Sequence, residues 1–277
     1  MSKNIYKWDD VEFHKTFQPQ DTYIVKIMEL AQSGFTGTKE EISSLTGIPT
    51  GKTSGKVVPH IRYAAYMRFV SYLKEGSVYT LSLTELGKVV LREDKYLFEN
   101  ITKMLAHYFI SSQFDGALIW SFVYDYLPYR LDEIISNELI NNKFSEVFQH
   151  DGKDNLNVVK KSYMEGFWQS LRLMDWDDGL CLNSQFYNSD FLYVYAYTLL
   201  KDWEQQKGNE RELTITQISD ELCWNRRFCL DDTETMNVLD ELAAEGYISL
   251  NKQLHPCTIV RLEQSENITD KLYDSLT

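Results

Sequence analysis

Acidic residues are missing from one long stretch of this chain: no Asp or Glu lies between Glu41 and Glu75, although the formal net charge is -13. Phosphates attract cations and repel carboxylates, so that window is a local reversal in a chain otherwise unsuited to nucleic acid. Other scarcities exclude whole classes. Five prolines and 13 glycines in 277 residues are few for a loop-rich chain and suit helices joined by short connections. Four cysteines, Cys181, Cys223, Cys229 and Cys257, do not make a disulfide framework in a chain this long. The most apolar segments, ALIWSFVYDYL and FLYVYAYTLL, are too short and too polar at their edges to span a bilayer. MSKNIYKWDDVEFHK lacks the apolar core of a secretion signal. The expectation is a reduced, cytoplasmic protein with no membrane partner.

What is abundant is aromatic: 18 Tyr, 14 Phe and 6 Trp. From Asp21, the residues Tyr23, Ile24, Ile27, Met28 and Ala31 fall at helical spacing until Gly34. Thr38-x-x-Glu41 is a capping-box signature, in which side chain and backbone satisfy each other's free groups at a helix start. Ile42 and Leu45 supply a short apolar face, and Gly47 ends the run. A further helix starts between Gly55 and Pro59, with Ile61, Ala65 and Phe69 as a buried stripe, and Val78–Leu83 reads as a strand beyond it. This order predicts a winged helix, whose third helix enters the major groove.

From Asp94 to about Leu200 the sequence reads as helical and aromatic. Around Glu212 the opening pattern returns, Thr214-x-x-Gln217-Ile218 matching Thr38-x-x-Glu41-Ile42. The following helix, carrying Asp231, Asp232, Glu234, Asp240, Glu241 and Glu245 with no Lys or Arg, would be repelled by DNA. The expected architecture is therefore mainly α, with two winged-helix modules flanking an aromatic-rich helical middle domain. Its boundaries fall at 1–92, 93–208 and 209–277.

Lys52, Lys56, Arg62 and Arg68 are the expected phosphate contacts, with His60 and Tyr63 nearest the bases of double-stranded DNA. Catalytic motifs fail on spacing. In Gly51-Lys52-Thr53 the nearest upstream glycine, Gly47, sits one residue too close for a nucleotide-binding loop, so no nucleotide cofactor is expected. Cys223, Cys229, His255 and Cys257 lack the tight paired spacing of structural zinc, and no metal is expected. His14 and Thr16 sit in unusual company between Phe13 and Phe17; a backbone-bonded histidine and a functional one are both open readings. No nucleophile and base assemble, so enzyme function has no positive support.

Three clusters carry a resemblance. Phe13-His14-Lys15-Thr16-Phe17, then Gly55-Lys56, Val58 and Ile61-Arg62-Tyr63, then Leu83-Thr84-Glu85-Leu86-Gly87 followed by Asp94-Lys95-Tyr96-Leu97 resemble a bacterial family of domains of unknown function. Its members are encoded beside phosphoadenosine-phosphosulfate-reductase-like proteins in DNA-phosphorothioation and phage-defence loci. Gln20 stands where the family has Arg, and Val57 where it has Asn. The resemblance implies a role in a DNA-modification or defence system and supplies no catalytic residue. With the acid-free window, the expectation is a non-catalytic, DNA-binding accessory component of such a system, with protein subunits of a modification or defence complex as further partners. The alternative is a protein–protein adaptor that docks those subunits through its two winged-helix faces.

Overall fold

Several helices in this chain begin where a side chain supplies a cap. The structure, a computed structural model, describes residues 8–51, 55–150, 152–208, 210–253 and 255–276. α1 spans Trp8–Val11, and α2 spans Asp21–Gln32 with Ile24, Val25, Ile27, Met28 and Ala31 buried along one side. β1 (Thr36–Thr38) runs straight into α3 (Lys39–Thr46) through a complete capping box. The Thr38 N–H donates to the Glu41 carboxylate at 2.7 Å, and the Glu41 N–H donates to Thr38 Oγ1 at 3.3 Å. Gly47 closes α3 in the left-handed region, φ 69°.

α4 (Val57–Tyr66) is shorter than its apolar stripe suggests. Arg68 turns the chain with φ 59°, and Phe69 reaches the core from beyond the helix, next to β2 (Val70–Glu75). β2 pairs antiparallel with β3 (Val78–Leu83), and β3 pairs with β1. Thr84 caps α5 (Glu85–Glu93) by accepting the Gly87 N–H at 2.9 Å. Gly87 is irreplaceable here, because a Cβ would lie 1.9 Å from the Phe69 carbonyl oxygen.

α6 (Asn100–Ile110), α7 (Leu118–Ser121), β4 (Ile134–Ser136), α8 (Asn137–Phe148) and α9 (Lys153–Met164) follow. Next come β5 (Met174–Trp176), β6 (Gly179–Leu182), α10 (Leu192–Lys207), β7 (Glu212–Thr214), α11 (Asp232–Ala244), β8 (Ile248–Asn251), β9 (Thr258–Arg261) and α12 (Glu266–Thr269).

This corrects the expected fold class. The chain is 52% helical with three small antiparallel sheets, a mixed α/β architecture and not a mainly α one with winged-helix modules flanking a helical domain. The sheets are ordered β1-β3-β2, β4-β6-β5 and β7-β9-β8. The second falls inside the stretch read as wholly helical. Its strands are three or four residues long, too short for an alternating pattern to show. What stabilises them is pairing with distant residues, such as Ile135 opposite Leu180.

The chain forms two compact units, Met1–Pro128 with Ile134–Cys181, and Tyr129–Glu133 with Leu182–Thr277. The core of the first gathers Phe13, Tyr63, Trp120, Tyr124 and Trp168, all fully or almost fully buried. Trp120 meets Tyr63 and Trp168 edge-on at centroid distances of 5.6 and 6.1 Å, the geometry aromatic quadrupoles favour. The second unit centres on Trp203 and Trp224 with one buried ion pair, Arg227 Nη2 to Asp202 Oδ2 at 2.6 Å.

Candidate functional site

The cations of the acid-free window are mostly engaged by partners from outside it. Arg62 donates to Asp10 at 2.6 Å and to the Tyr66 hydroxyl at 2.7 Å, with its guanidinium 5.2 Å from the Phe13 ring centroid. Desolvation works against its charge, but Tyr66 and Asp10 outweigh that and raise the guanidinium pKa. Arg68 donates to both oxygens of Asp115, at 2.8 and 2.6 Å, and lies 4.3 Å from the Phe109 ring centroid. Lys56 is different. Its ammonium sits 5.4 Å from the ring centroids of both Phe17 and Tyr23, and among the described residues no carboxylate pairs with it. Lys52 lies outside the described residues.

His60 and Tyr63 are fully buried, and what they reach is one backbone segment. His60 Nδ1–H donates to the Lys56 carbonyl at 2.6 Å, which leaves Nε2 to accept the Gln20 N–H at 3.2 Å. The Tyr63 hydroxyl donates to the Phe17 carbonyl at 2.8 Å. His14 braces the same segment from the other end, its Nδ1 accepting the Thr16 N–H at 3.0 Å and its carbonyl the Phe17 N–H at 2.8 Å. Burial lowers both histidines from 6.5 to about 4, so both rings are neutral at pH 7. The Asn155 side chain opposes that shift at His14, and the Lys56 carbonyl at His60. Desolvation likewise raises the Tyr63 hydroxyl well above its ordinary range.

Residues 16–20 form one wall of a cleft of about 950 Å³ within the first unit. The opposite side comes from the Leu97–Phe98 turn, Lys103 of α6, and Asn157 and Lys161 of α9. Backbone strain gathers at this rim. Thr16 and Leu97, both lining the cleft, hold φ at 70° and 58°, a conformation costing about 1–3 kcal/mol for a residue with a side chain. His14 and Tyr63 hold the first turn. Asp94 holds the second, its carboxylate accepting the Phe98 and Glu99 N–H groups at 2.9 Å each and the Thr102 hydroxyl at 2.6 Å. The turn leaves Phe98 67% exposed and stacked on Tyr96, which is 61% exposed, at a centroid distance of 5.9 Å.

Among the described residues neither Lys103 nor Lys161 has a carboxylate partner; Lys103 donates to Ser170 Oγ at 3.2 Å. Asp21 is the acidic lining residue, and its carboxylate accepts the Thr22 N–H at 2.6 Å. The cleft thus combines cations, amides from Gln18, Gln20 and Asn157, and one exposed ring, that of Phe98. Those groups can bind an anion and stack on a planar ring. Of the residues singled out from the sequence, Thr16 lines the cleft, His14, His60 and Tyr63 are buried behind it, and Lys56 stands over Phe17; Lys103, Lys161 and Phe98, which also line it, were not among them. The two lysines sit on amphipathic helices, Lys161 directly after Lys160, and carry no local signal of what they face. Phe98 directly follows the Asp94–Leu97 cluster, and that adjacency is the signal that could have found it.

Among the described residues no three His, Cys, Asp or Glu side chains converge as a metal site. Cys223 and Cys229 are buried thiols outside any disulfide, and desolvation pushes the Cys229 pKa up. No described helix is long and apolar enough to cross a membrane.

No family model and no curated protein matches the chain. Two solved structures are similar in fold. The "Magnesium ion-bound SspB crystal structure" superposes with TM-score 0.75 at 15% identity, covering 96% of this chain and 88% of that one. The "SspB crystal structure" gives 0.72 at 14% identity, with the same coverage of both chains. At this identity the likeness is one of fold.

Proposed function

We propose that this protein is a non-catalytic, DNA-binding component of a bacterial DNA-modification or anti-phage defence system. The observation that carries the reading is convergence: the motif residues behind the family resemblance, Phe13, His14, Thr16, Phe17, Lys56 and Tyr63, come together around one segment. Lys56, a cation without a carboxylate partner, stands over it. Both structures similar in fold are of SspB, a phosphorothioation-system protein, and that likeness of fold fits the same context.

On this reading Lys56 contacts duplex phosphate directly, with Lys52 beside it in sequence. Arg62 and Arg68 can join only by exchanging Asp10 and Asp115 for phosphate. Salt-titrated binding of the full chain to plain and phosphorothioated duplex tests the proposal. Lys56→Glu is expected to weaken binding at least tenfold and to lower the slope of log K against log salt by about 1. Equal affinity of parent and variant at every salt concentration refutes it.

A second reading, an adaptor for protein subunits, is favoured by α11. That helix carries Asp232, Glu234, Asp240 and Glu241, and two large apolar side chains of its unit, Phe186 and Leu262, are exposed. Absence of duplex binding at physiological salt, with co-purification of a basic partner, would select it.

A further inference from the structure

We propose that the cleft between residues 16–22 and the α6–α9 side of the first unit takes an unpaired nucleic-acid strand. Phosphates would sit on Lys103 and Lys161, and a base on the open face of Phe98. This rests on the nucleic-acid reading above but places a second ligand on a different surface from the Lys56 face.

Phe98 supplies one half of the site. A phenylalanine that is 67% exposed, held outward by a turn with Leu97 at φ 58° and three hydrogen bonds to Asp94, is not contributing to the core. Tyr96 stacks on it at an interplanar angle of 30°, so the two rings form a short platform of which Phe98 lines the cleft. Bases stack on such platforms whatever their identity, because each has a π-face. In a duplex those faces are covered by neighbouring base pairs, so only an unpaired base can use the ring.

Charge supplies the other half. Lys103 and Lys161 project from two helices into one cleft with no carboxylate partner among the described residues, against the single carboxylate of Asp21. In a chain of net charge -13 that is a local positive lining, and cations along a groove with interleaved aromatic rings are what hold a single strand. Gln18, Gln20 and Asn157 add amide donors and acceptors suited to base edges. The volume of about 950 Å³ lies at the upper end of what encloses a drug-sized ligand, and so admits one nucleotide with its flanking phosphates.

The experiment uses the full chain with fluorescein-labelled oligothymidylate and oligouridylate of about twelve nucleotides, with a mixed-sequence duplex measured alongside. At least one single strand is expected to bind, and which one binds distinguishes a DNA strand from an RNA strand. Phe98→Ala weakens that binding roughly 5- to 100-fold, and Lys103→Gln with Lys161→Gln lowers its salt slope by about 1.4. Duplex affinity stays unchanged in both variants. Phe98 and Lys161 are exposed and Lys103 half-buried at the surface, so thermal unfolding of the variants should match the parent.

If duplex binds but neither strand does up to about 100 µM, the weak end of non-specific affinity, the cleft proposal fails and the duplex reading stands. Strand binding that neither variant weakens also overturns it. Strand binding that the variants weaken, with no duplex binding, upholds the cleft and refutes the duplex reading.

Discussion

Acidification tests the placement of the two histidines directly. His14 and His60 are buried and neutral, held near 4 against an ordinary value of 6.5. The unfolded chain takes up protons first as pH falls, so stability is full above pH 6.5 and declines below it, levelling off beneath pH 4. The whole gap is worth roughly 3 kcal/mol per ring. By pH 5 about 2 kcal/mol per ring is lost, or about 4 kcal/mol for the pair. Against a typical stability of about 5–15 kcal/mol that is large.

Two assays read it. Urea unfolding followed by tryptophan fluorescence should show the loss between pH 8 and pH 5. Proton NMR of the imidazole rings, assigned by His14→Gln and His60→Gln, should show both resonances unshifted down to pH 5. A midpoint above about 6 for either ring would mean that it reaches water and does not brace residues 16–20 as a buried group. A consequence follows for DNA: a buried, neutral His60 makes duplex affinity independent of its titration between pH 8 and pH 6.

Two further substitutions probe the supports. Asp94→Ala removes the acceptor for two backbone N–H groups and the Thr102 hydroxyl. It should cost about 2–3 kcal/mol in urea unfolding and, by releasing the Phe98 turn, weaken strand binding as well; an unchanged midpoint would show that water replaces the carboxylate freely. In the second unit Asp202→Asn leaves the Arg227 guanidinium, which also donates to the Leu222 carbonyl at 2.6 Å, buried without its counter-charge. The expected loss is about 3–5 kcal/mol, and a loss under about 1 kcal/mol would show that the pair is solvated.

Most helices and several turns were legible because they are local. Thr38 and Glu41 are three residues apart and find each other in any chain that turns there, and Thr214 with Gln217 repeats the arrangement, the Thr214 N–H donating to Gln217 Oε1 at 2.9 Å. The β3 strand, Val78–Leu83, was read at its observed bounds because it is long enough to alternate, with Tyr79 and Leu81 inward. The sheet of β4, β5 and β6 was not readable, since strands of three or four residues are specified by their distant partners. Of the cleft, the motif-bearing wall was visible as unusual company around His14. The wall holding Lys103 and Lys161 was not, because nothing in a helix announces what it will face.

The acid-free window shows where the division lies. The sequence by itself determined that no carboxylate lies between Glu41 and Glu75, so that within the window no local turn or helix neighbour can pair with Lys52, Lys56, Arg62 or Arg68. Only the tertiary structure decided that Arg62 and Arg68 are nevertheless paired, with Asp10 and Asp115 brought in from 52 and 47 residues away. Charge along a chain is fixed by covalent order. Charge presented to a ligand depends on which distant carboxylates folding delivers, and here it leaves Lys56 over Phe17 and Tyr23 on one surface and Lys103 and Lys161 in the strained cleft on another, all without a carboxylate partner among the described residues.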